Sequence, residues 1–255
     1  MIDAKGGISV KKSGLSQEML KIIACLTMLV DHVGATVVIE LYMRTASVWL
    51  YYLYWVMRSV GRVAFPIYCF LLAEGAHYTR NPKKYALRLL IGVFLAELPF
   101  DAAFYGGWTW EHQSVMITLL LGFAALEGMG KCKNPLLKML IVVPFALAAE
   151  WMQTDYGGYG VAMIALFGLT REMPDRIYVQ FAGLALIACA LDRAAIPIAG
   201  FKVPIELFAV LAMIPISRYS GKKSSGSRVI QTGFYLFYPI HLALLAVIVK
   251  AVFGG

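Results

Sequence analysis

Charge is what this sequence has least of. Only 15% of its 255 residues are charged, against about 25% in an ordinary soluble domain. That shortage excludes a water-soluble fold, because a large helical core needs amphipathic helices to cover it and almost none can be drawn here. Cysteine is scarce as well. Cys25, Cys69 and Cys189 lie in apolar segments, Cys132 lies in a basic loop, and none forms a CxxC pair, so neither a disulfide framework nor a zinc site is expected. HExxH, GxSxG, Walker A and nucleotide-type GxGxxG are missing from any suitable context, which weighs against a metalloprotease, a hydrolase and an ATPase. A cleavable signal peptide is not expected either. The first apolar run follows a polar arm with Lys5, Lys11, Lys12 and Lys21, is too long for an h-region and lacks an A-x-A site, so it reads as an uncleaved first helix.

Apolar residues fill the space that charge leaves. They make up 60% of the chain, with a mean hydropathy of +0.71. Runs of about 18 to 22 apolar residues recur between short polar loops, and a run of that length crosses the roughly 30 Å hydrocarbon core as a helix. The expected fold is all-α, a polytopic transmembrane helix bundle of about nine spanning helices (range 8–10). They are placed at about 17–41, 60–78, 84–104, 113–129, 135–152, 157–170, 177–192, 203–216 and 228–250. Val48–Val56 is too short to span and reads as an interfacial aromatic belt or a re-entrant piece, with Trp49, Tyr51, Tyr52 and Trp55 at headgroup level. No internal repeat stands out, and residues 1–255 are expected to form one membrane-embedded domain.

The net charge of +8 does not point to nucleic acid, because the basic residues sit in short clusters between apolar runs. With the N-terminus inside, 17 of the 23 Lys and Arg residues fall on the inner side, as the positive-inside rule requires of a multi-pass protein of the cytoplasmic membrane. The outer loops are aromatic and acidic instead.

Ionisable groups at bilayer depth are costly and mark function or pairing. The first helix carries Asp31 and His32, and Lys21, Cys25, Met28 and His32 share one of its faces. The rise from Lys21 to His32 is about 16 Å, which puts Lys21 at the inner surface and His32 past the midplane. A neutral imidazole there accepts a proton from a nucleophile and returns it; a histidine bonded to a backbone carbonyl for packing fits the spacing equally well. Asp31 points about 100° away from its neighbour and is placed to pair with Arg62 or another helix. Pro66 frees the carbonyl of Arg62, so Arg62 is a candidate for binding an anionic group or for pairing with Asp31 or Glu97. Glu74 and His77 fall near the inner end. In the last helix Pro239 frees the carbonyl of Tyr235, and Phe234, Tyr238 and His241 share a face, which suits either a polar pocket or aromatic packing. The inner loop "TRNPKKYALR" gathers Arg80, Lys83, Lys84 and Arg88. These would clamp the phosphates of a nucleotide-like cofactor or serve topology and anionic lipid headgroups. Asp155 stands on a glycine-rich outer loop, "TDYGGYG", either as part of a turn or as an acceptor-binding group.

The set "MLVDHVG", "RVAFPIYCFLLAEGAHYTRN", "DYGGYG" and "FYLFYPIHL" resembles the TraX family, named for the conjugative pilin N-acetylase, through most of the chain. The Lys21-to-His32 spacing also resembles the Arg/Lys-x10-His signature of the wider acyltransferase-three and transmembrane acyl transferase group, although the RxxR pair of an inner loop is missing. The resemblance implies transfer of an acetyl or other acyl group from cytoplasmic acetyl-CoA, as co-substrate and without a metal, to an amine or hydroxyl acceptor at or across the membrane. That acceptor would be a peptide or pilin amine, a glycan or a lipid. It further implies His32 as the catalytic histidine, with Asp31, Arg62, Tyr238 and His241 around it. Lys21, Arg80, Lys83, Lys84 and Arg88 would receive the cofactor, and Glu74, Glu97 and Asp155 the acceptor. Membrane lipids and a second copy of the chain are the other expected partners. The rival from another class is a proton-coupled transporter or channel with Asp31, His32, Glu74, Glu97 and His241 as a relay. An assembly factor needing neither cofactor nor His32 is a third.

Overall fold

The computed structural model describes residues 14–190, 194–198, 201–222 and 228–254. The N-terminal lysines Lys5, Lys11 and Lys12, the end of the seventh expected helix, and Lys223 lie outside the described residues. Helices dominate the rest. The first, α1 (Gln17–Val33), starts at Ser16, whose hydroxyl accepts from the Met19 amide, a cap that satisfies an otherwise orphaned donor. A π-helical turn at Gly34–Val38 leads into α2 (Ile39–Thr45). The helices α3 (Val48–Gly61) and α4 (Ala64–Tyr78) follow. After them come α5 (Pro82–Phe104), α6 (Val115–Gly130), α7 (Pro135–Trp151), α8 (Gly157–Thr170) and α9 (Arg176–Ala190). Among the described residues, three helical stretches have the length and apolar composition to cross a membrane: Gln17–Thr45, Val48–Tyr78 and Val229–Phe253. Four shorter apolar helices accompany them.

Two expectations are corrected. The aromatic segment Val48–Val56 is not a separate short piece; it opens the helical stretch that runs from Val48 to Tyr78. Its tyrosines and tryptophans break the apolar run in a hydropathy window but remain compatible with helix, and they pack on one another, Tyr51 against Trp55 at 6.2 Å. The stretch breaks near its middle, at Arg62 and Val63, four and three residues before Pro66, where the proline ring withholds the backbone donor. The eighth helix is also not a plain α-helix. A hairpin of β1 (Ala195–Ile198) and β2 (Phe201–Pro204) precedes it, pairing Ile196 with Val203. The chain then runs through a 3-10 segment, Ile205–Ala212, into the short α10 (Met213–Ser217). Pro204 and Pro215 bracket this tighter winding. The last helix is α11 (Arg228–Phe253).

The core forms around α4, which is apolar on nearly every side. Phe65, Ile67, Cys69 and Phe70 are buried against Met163, Ile164 and Phe167 of α8. By contrast α7 buries only Ala149 and turns Leu136, Val143, Leu147 and Trp151 outward. An outward apolar face of that kind suits lipid rather than water. Packed against α5 and α1, α11 closes one side of a chamber that α1, α3, α4, α5 and the start of α6 also line.

Candidate functional site

That chamber is a cavity of about 620 Å³. One end is basic and aromatic, with Lys21 from the first turns of α1, Arg88 from the start of α5, and Phe234 and Tyr235 from the start of α11. Lys21 holds its ammonium 5.3 Å from the centre of the Phe234 ring, and Arg88 lies over Tyr85 at 5.0 Å and Tyr235 at 6.0 Å. Cations placed on ring faces are held in position by attraction to the π electrons. The other end is marked by Phe104, Tyr105 and Asp155.

His32 lines the cavity between these ends. Its Nδ1 lies 2.7 Å from Nε2 of His241, and Nδ1 of His241 lies 2.6 Å from the carbonyl oxygen of Phe237. The protons follow from the last partner. A carbonyl only accepts, so Nδ1 of His241 carries its proton; a neutral imidazole has one, so Nε2 of His241 accepts and Nδ1 of His32 donates. Nε2 of His32 is left with the lone pair, as a base requires. Phe104 and Tyr238 set their rings edge-on against His32 at 5.5 and 6.0 Å, and the two imidazoles lie nearly parallel, 7° apart. The arrangement combines both readings of a membrane histidine. His241 is bonded to backbone, and His32 is held by His241 with one nitrogen spare.

Asp31 turns to the opposite wall. Arg62 donates from Nη2 to Asp31 Oδ1 at 2.8 Å and from Nη1 to Glu206 Oε1 at 2.7 Å, while Arg58 donates from Nη1 to Asp31 Oδ2 at 2.6 Å. These four side chains balance two positive and two negative charges, and Asp31, Arg62 and Glu206 are buried. Gly61 makes room for the contact, since a Cβ there would stand 2.1 Å from Asp31 Oδ1. Gly34 does the same one turn beyond, where a Cβ would meet Met57 at 2.9 Å. Arg62 thus pairs with Asp31, one of its two expected partners; its second is Glu206 rather than Glu97.

The remaining expected site residues divide between the cavity and its surroundings. Tyr238, Glu74 and Asp155 line it, and His241 stands directly behind His32. Glu74 accepts from Arg171 Nε at 2.8 Å, and Arg171 also reaches the Tyr78 hydroxyl at 2.9 Å. Glu97 is not among the lining residues; it accepts from the Ser114 amide at 3.0 Å and hydroxyl at 2.8 Å and so fixes the entry of α6. Of the five basic candidates, Lys21 and Arg88 line the cavity, whereas Arg80, Lys83 and Lys84 are exposed away from it. The Asp155 segment is a fixed turn. The Asp155 amide donates to the Gln113 carbonyl at 2.8 Å, and the Thr118 hydroxyl donates to the Asp155 carbonyl. The next residue, Tyr156, takes a left-handed φ of 65° and stacks on Phe65 at 3.8 Å. A smaller cavity of about 310 Å³ shares Phe100, Tyr105 and Asp155 with the main one.

Arg58, Glu206, Tyr156 and Tyr68 belong to the same site and escaped the sequence reading. Glu206 carried the same signal as the others, a carboxylate inside an apolar run. Arg58 was hidden because its segment did not register as a helix at membrane depth.

A helical membrane protein with a polar cavity and a hydrogen-bonded histidine pair at its wall is the class that these features define. The TraX protein family model matches residues 16–249, and the chain belongs to that family. It is also similar to the probable fimbrial assembly protein FimC, serogroup H1, of Dichelobacter nodosus, with 30% identity over 240 residues, covering 89% of this chain and 92% of that protein. No solved structure matches.

Proposed function

We propose that the chain is a membrane acetyltransferase that takes an acetyl group from acetyl-CoA on the cytoplasmic side and passes it to an amine or hydroxyl at or across the membrane. The relay from the Phe237 carbonyl through His241 to His32 carries this reading, because it leaves a fixed, unprotonated Nε2 on the wall of a cavity. In this mechanism His32 takes the proton of the acceptor as its nitrogen or oxygen attacks the thioester carbonyl. The carbon–sulfur bond then breaks, and His32 returns the proton to the departing thiolate. Base catalysis of this kind contributes roughly 10² to 10⁴ in rate.

The basic end suits the cofactor's phosphates, with Lys21 and Arg88 as the cations and Phe234, Tyr235 and Tyr85 as stacking faces for the adenine. With the N-terminus inside, that end faces the cytoplasm. Acidic groups at the other end, Asp155 and the neighbouring Glu150, suit an acceptor bearing hydrogen-bond donors, and the fimbrial assembly name of the relative supports a fimbrial subunit as that acceptor. The Lys21-to-His32 spacing supports a kinship with the wider transmembrane acyl transferase group.

The test is thermal unfolding of the detergent-solubilised chain with acetyl-CoA, followed by release of free CoA thiol. At a hundred times its dissociation constant a ligand stabilises by about 2.7 kcal/mol. No stabilisation at any concentration, together with acidification-driven proton uptake in vesicles, decides for the transporter.

A further inference from the structure

Two arginines stand beside the histidine pair, and they are not equivalent. Arg62 is spent. Its Nη1 goes to Glu206, its Nη2 to both oxygens of Asp31, and its Nε to the Arg58 carbonyl at 3.2 Å. Two carboxylates oppose its single charge, and only 9% of its side chain is accessible. Arg58 differs on each count. Among the described residues its side chain makes one hydrogen bond, from Nη1 to Asp31 Oδ2, so Nε and Nη2 keep their donors. Its carboxylate is shared with Arg62, which leaves Arg58 the less neutralised of the two. Its side chain is 22% accessible, and although both arginines line the same cavity as His32, Arg58 is the one with donors to spare there. Asp31, which anchors it, is the residue next to His32, and the Arg58 Cδ comes within 3.9 Å of the Cβ position of Gly34, two residues further on. Arg58 is therefore tied to the α1 segment that carries the base.

We propose that Arg58, and not Arg62, is the oxyanion-stabilising group of the site, a binding position for negative charge that develops beside Nε2 of His32. The assignment rests on the acetyl-transfer reading. When the acceptor attacks, its lone pair forms the new bond to the carbonyl carbon and the π pair moves onto the carbonyl oxygen. His32 holds the proton at this stage, and the oxygen carries the negative charge. A guanidinium N–H aimed at that oxygen stabilises the intermediate more than the neutral thioester, which is the condition for acceleration. When the pair returns to re-form the C=O bond, the sulfur leaves with its own electrons and collects the proton from His32. The anchor on Asp31 is part of the device, since a guanidinium fixed in advance need not reorganise during the reaction.

The experiment needs no acceptor. S-carboxymethyl-CoA places anionic oxygens within one bond of the thioester oxygen's position, and S-ethyl-CoA is its neutral counterpart. Dissociation constants of both are measured for the full-length wild type, Arg58→Gln and Arg58→Lys. The wild type is expected to prefer the anionic analogue by roughly ten- to a hundredfold, the range of a charge-assisted hydrogen bond. Arg58→Gln loses the preference while its affinity for S-ethyl-CoA stays within about twofold, and Arg58→Lys retains part of it. Arg58→Gln leaves Asp31 bonded to Arg62, so the fold is kept. An equal preference in wild type and Arg58→Gln, or none in the wild type, overturns the assignment of Arg58 alone. Failure of both analogues to bind overturns the acetyl-CoA reading and the assignment with it.

Discussion

Asp31 and His32 are neighbours in the chain and build two opposite kinds of polar cluster. Asp31 enters an ion-pair set, in which Arg62 bridges it to Glu206 of the 3-10 segment and Arg58 braces it from α3. His32 enters an open chain, in which each donor is spent in one direction and a lone pair is left over at the cavity. The angle of about 100° between successive helical residues is enough to send them to different walls. The contrast separates what buried polarity does for a fold from what it does for a reaction. A paired cluster of this kind fixes helices relative to one another, and removing its central Arg62 strands a buried carboxylate. An unbalanced relay holds one group in a defined protonation state and leaves it ready to act.

Substitutions on the two sides should therefore fail in different ways. His32→Ala should lower acetyl transfer by about two to four orders of magnitude, as for loss of a general base, with acetyl-CoA affinity nearly unchanged, because in the proposed mechanism Lys21 and Arg88, not His32, would hold the cofactor's phosphates. Loss of kcat without loss of ground-state binding is the mark of a transition-state role. If purified, folded His32→Ala turns over at the wild-type rate, the relay is structural and the mechanism is wrong. Arg62→Met should do the reverse. It leaves Asp31 and Glu206 short of their main partner, which costs about 3 to 5 kcal/mol of stability. Thermal unfolding and yield of monodisperse protein read that loss, and an unchanged melting temperature would contradict the ion-pair account.

His241→Gln should fall between them. The amide can still accept from His32, but it has lost the aromatic stack, so turnover is expected to fall about tenfold, within the range for a misoriented base. A loss as large as that of His32→Ala would make His241 itself the base. Among the basic residues, charge reversal separates cavity from rim, and the rim gives the smallest effect of all. Lys21→Glu with Arg88→Glu should weaken acetyl-CoA binding by about one to two orders of magnitude and flatten its salt dependence. Lys83→Glu with Lys84→Glu should change it by less than about twofold, since exposed charges away from the ligand are screened. Equal effects from the two pairs would return the phosphates to the Arg80–Arg88 loop.

Much of this molecule is legible in its sequence. The apolar runs, the breaks between them and the exceptional charges inside them are local properties, and each can be read from a window of about twenty residues. His32, Arg62, Tyr238 and His241 stood out because polar atoms at that depth need a reason. The aromatic segment before Arg58 and the proline-bracketed segment around Glu206 were harder. One mixes interfacial residues into a helix, and the other winds more tightly than an α-helix, so neither shows the expected period.

The sequence by itself determined that this chain belongs in a membrane, which residues sit uneasily there, and that Lys21 and His32 share one helix face. Each of these depends on residues within one helical segment, where geometry is fixed by the backbone repeat. Tertiary structure alone decided the partners: His32 meets His241, 209 positions away, and Arg62 meets Glu206, 144 positions away. It also decided that Arg58 stays open while Arg62 is closed, and that Lys21 and Arg88 reach the cavity while Lys83 and Lys84 do not. Composition sets the cost of burying a polar group, but only the packing of distant helices determines which group answers it.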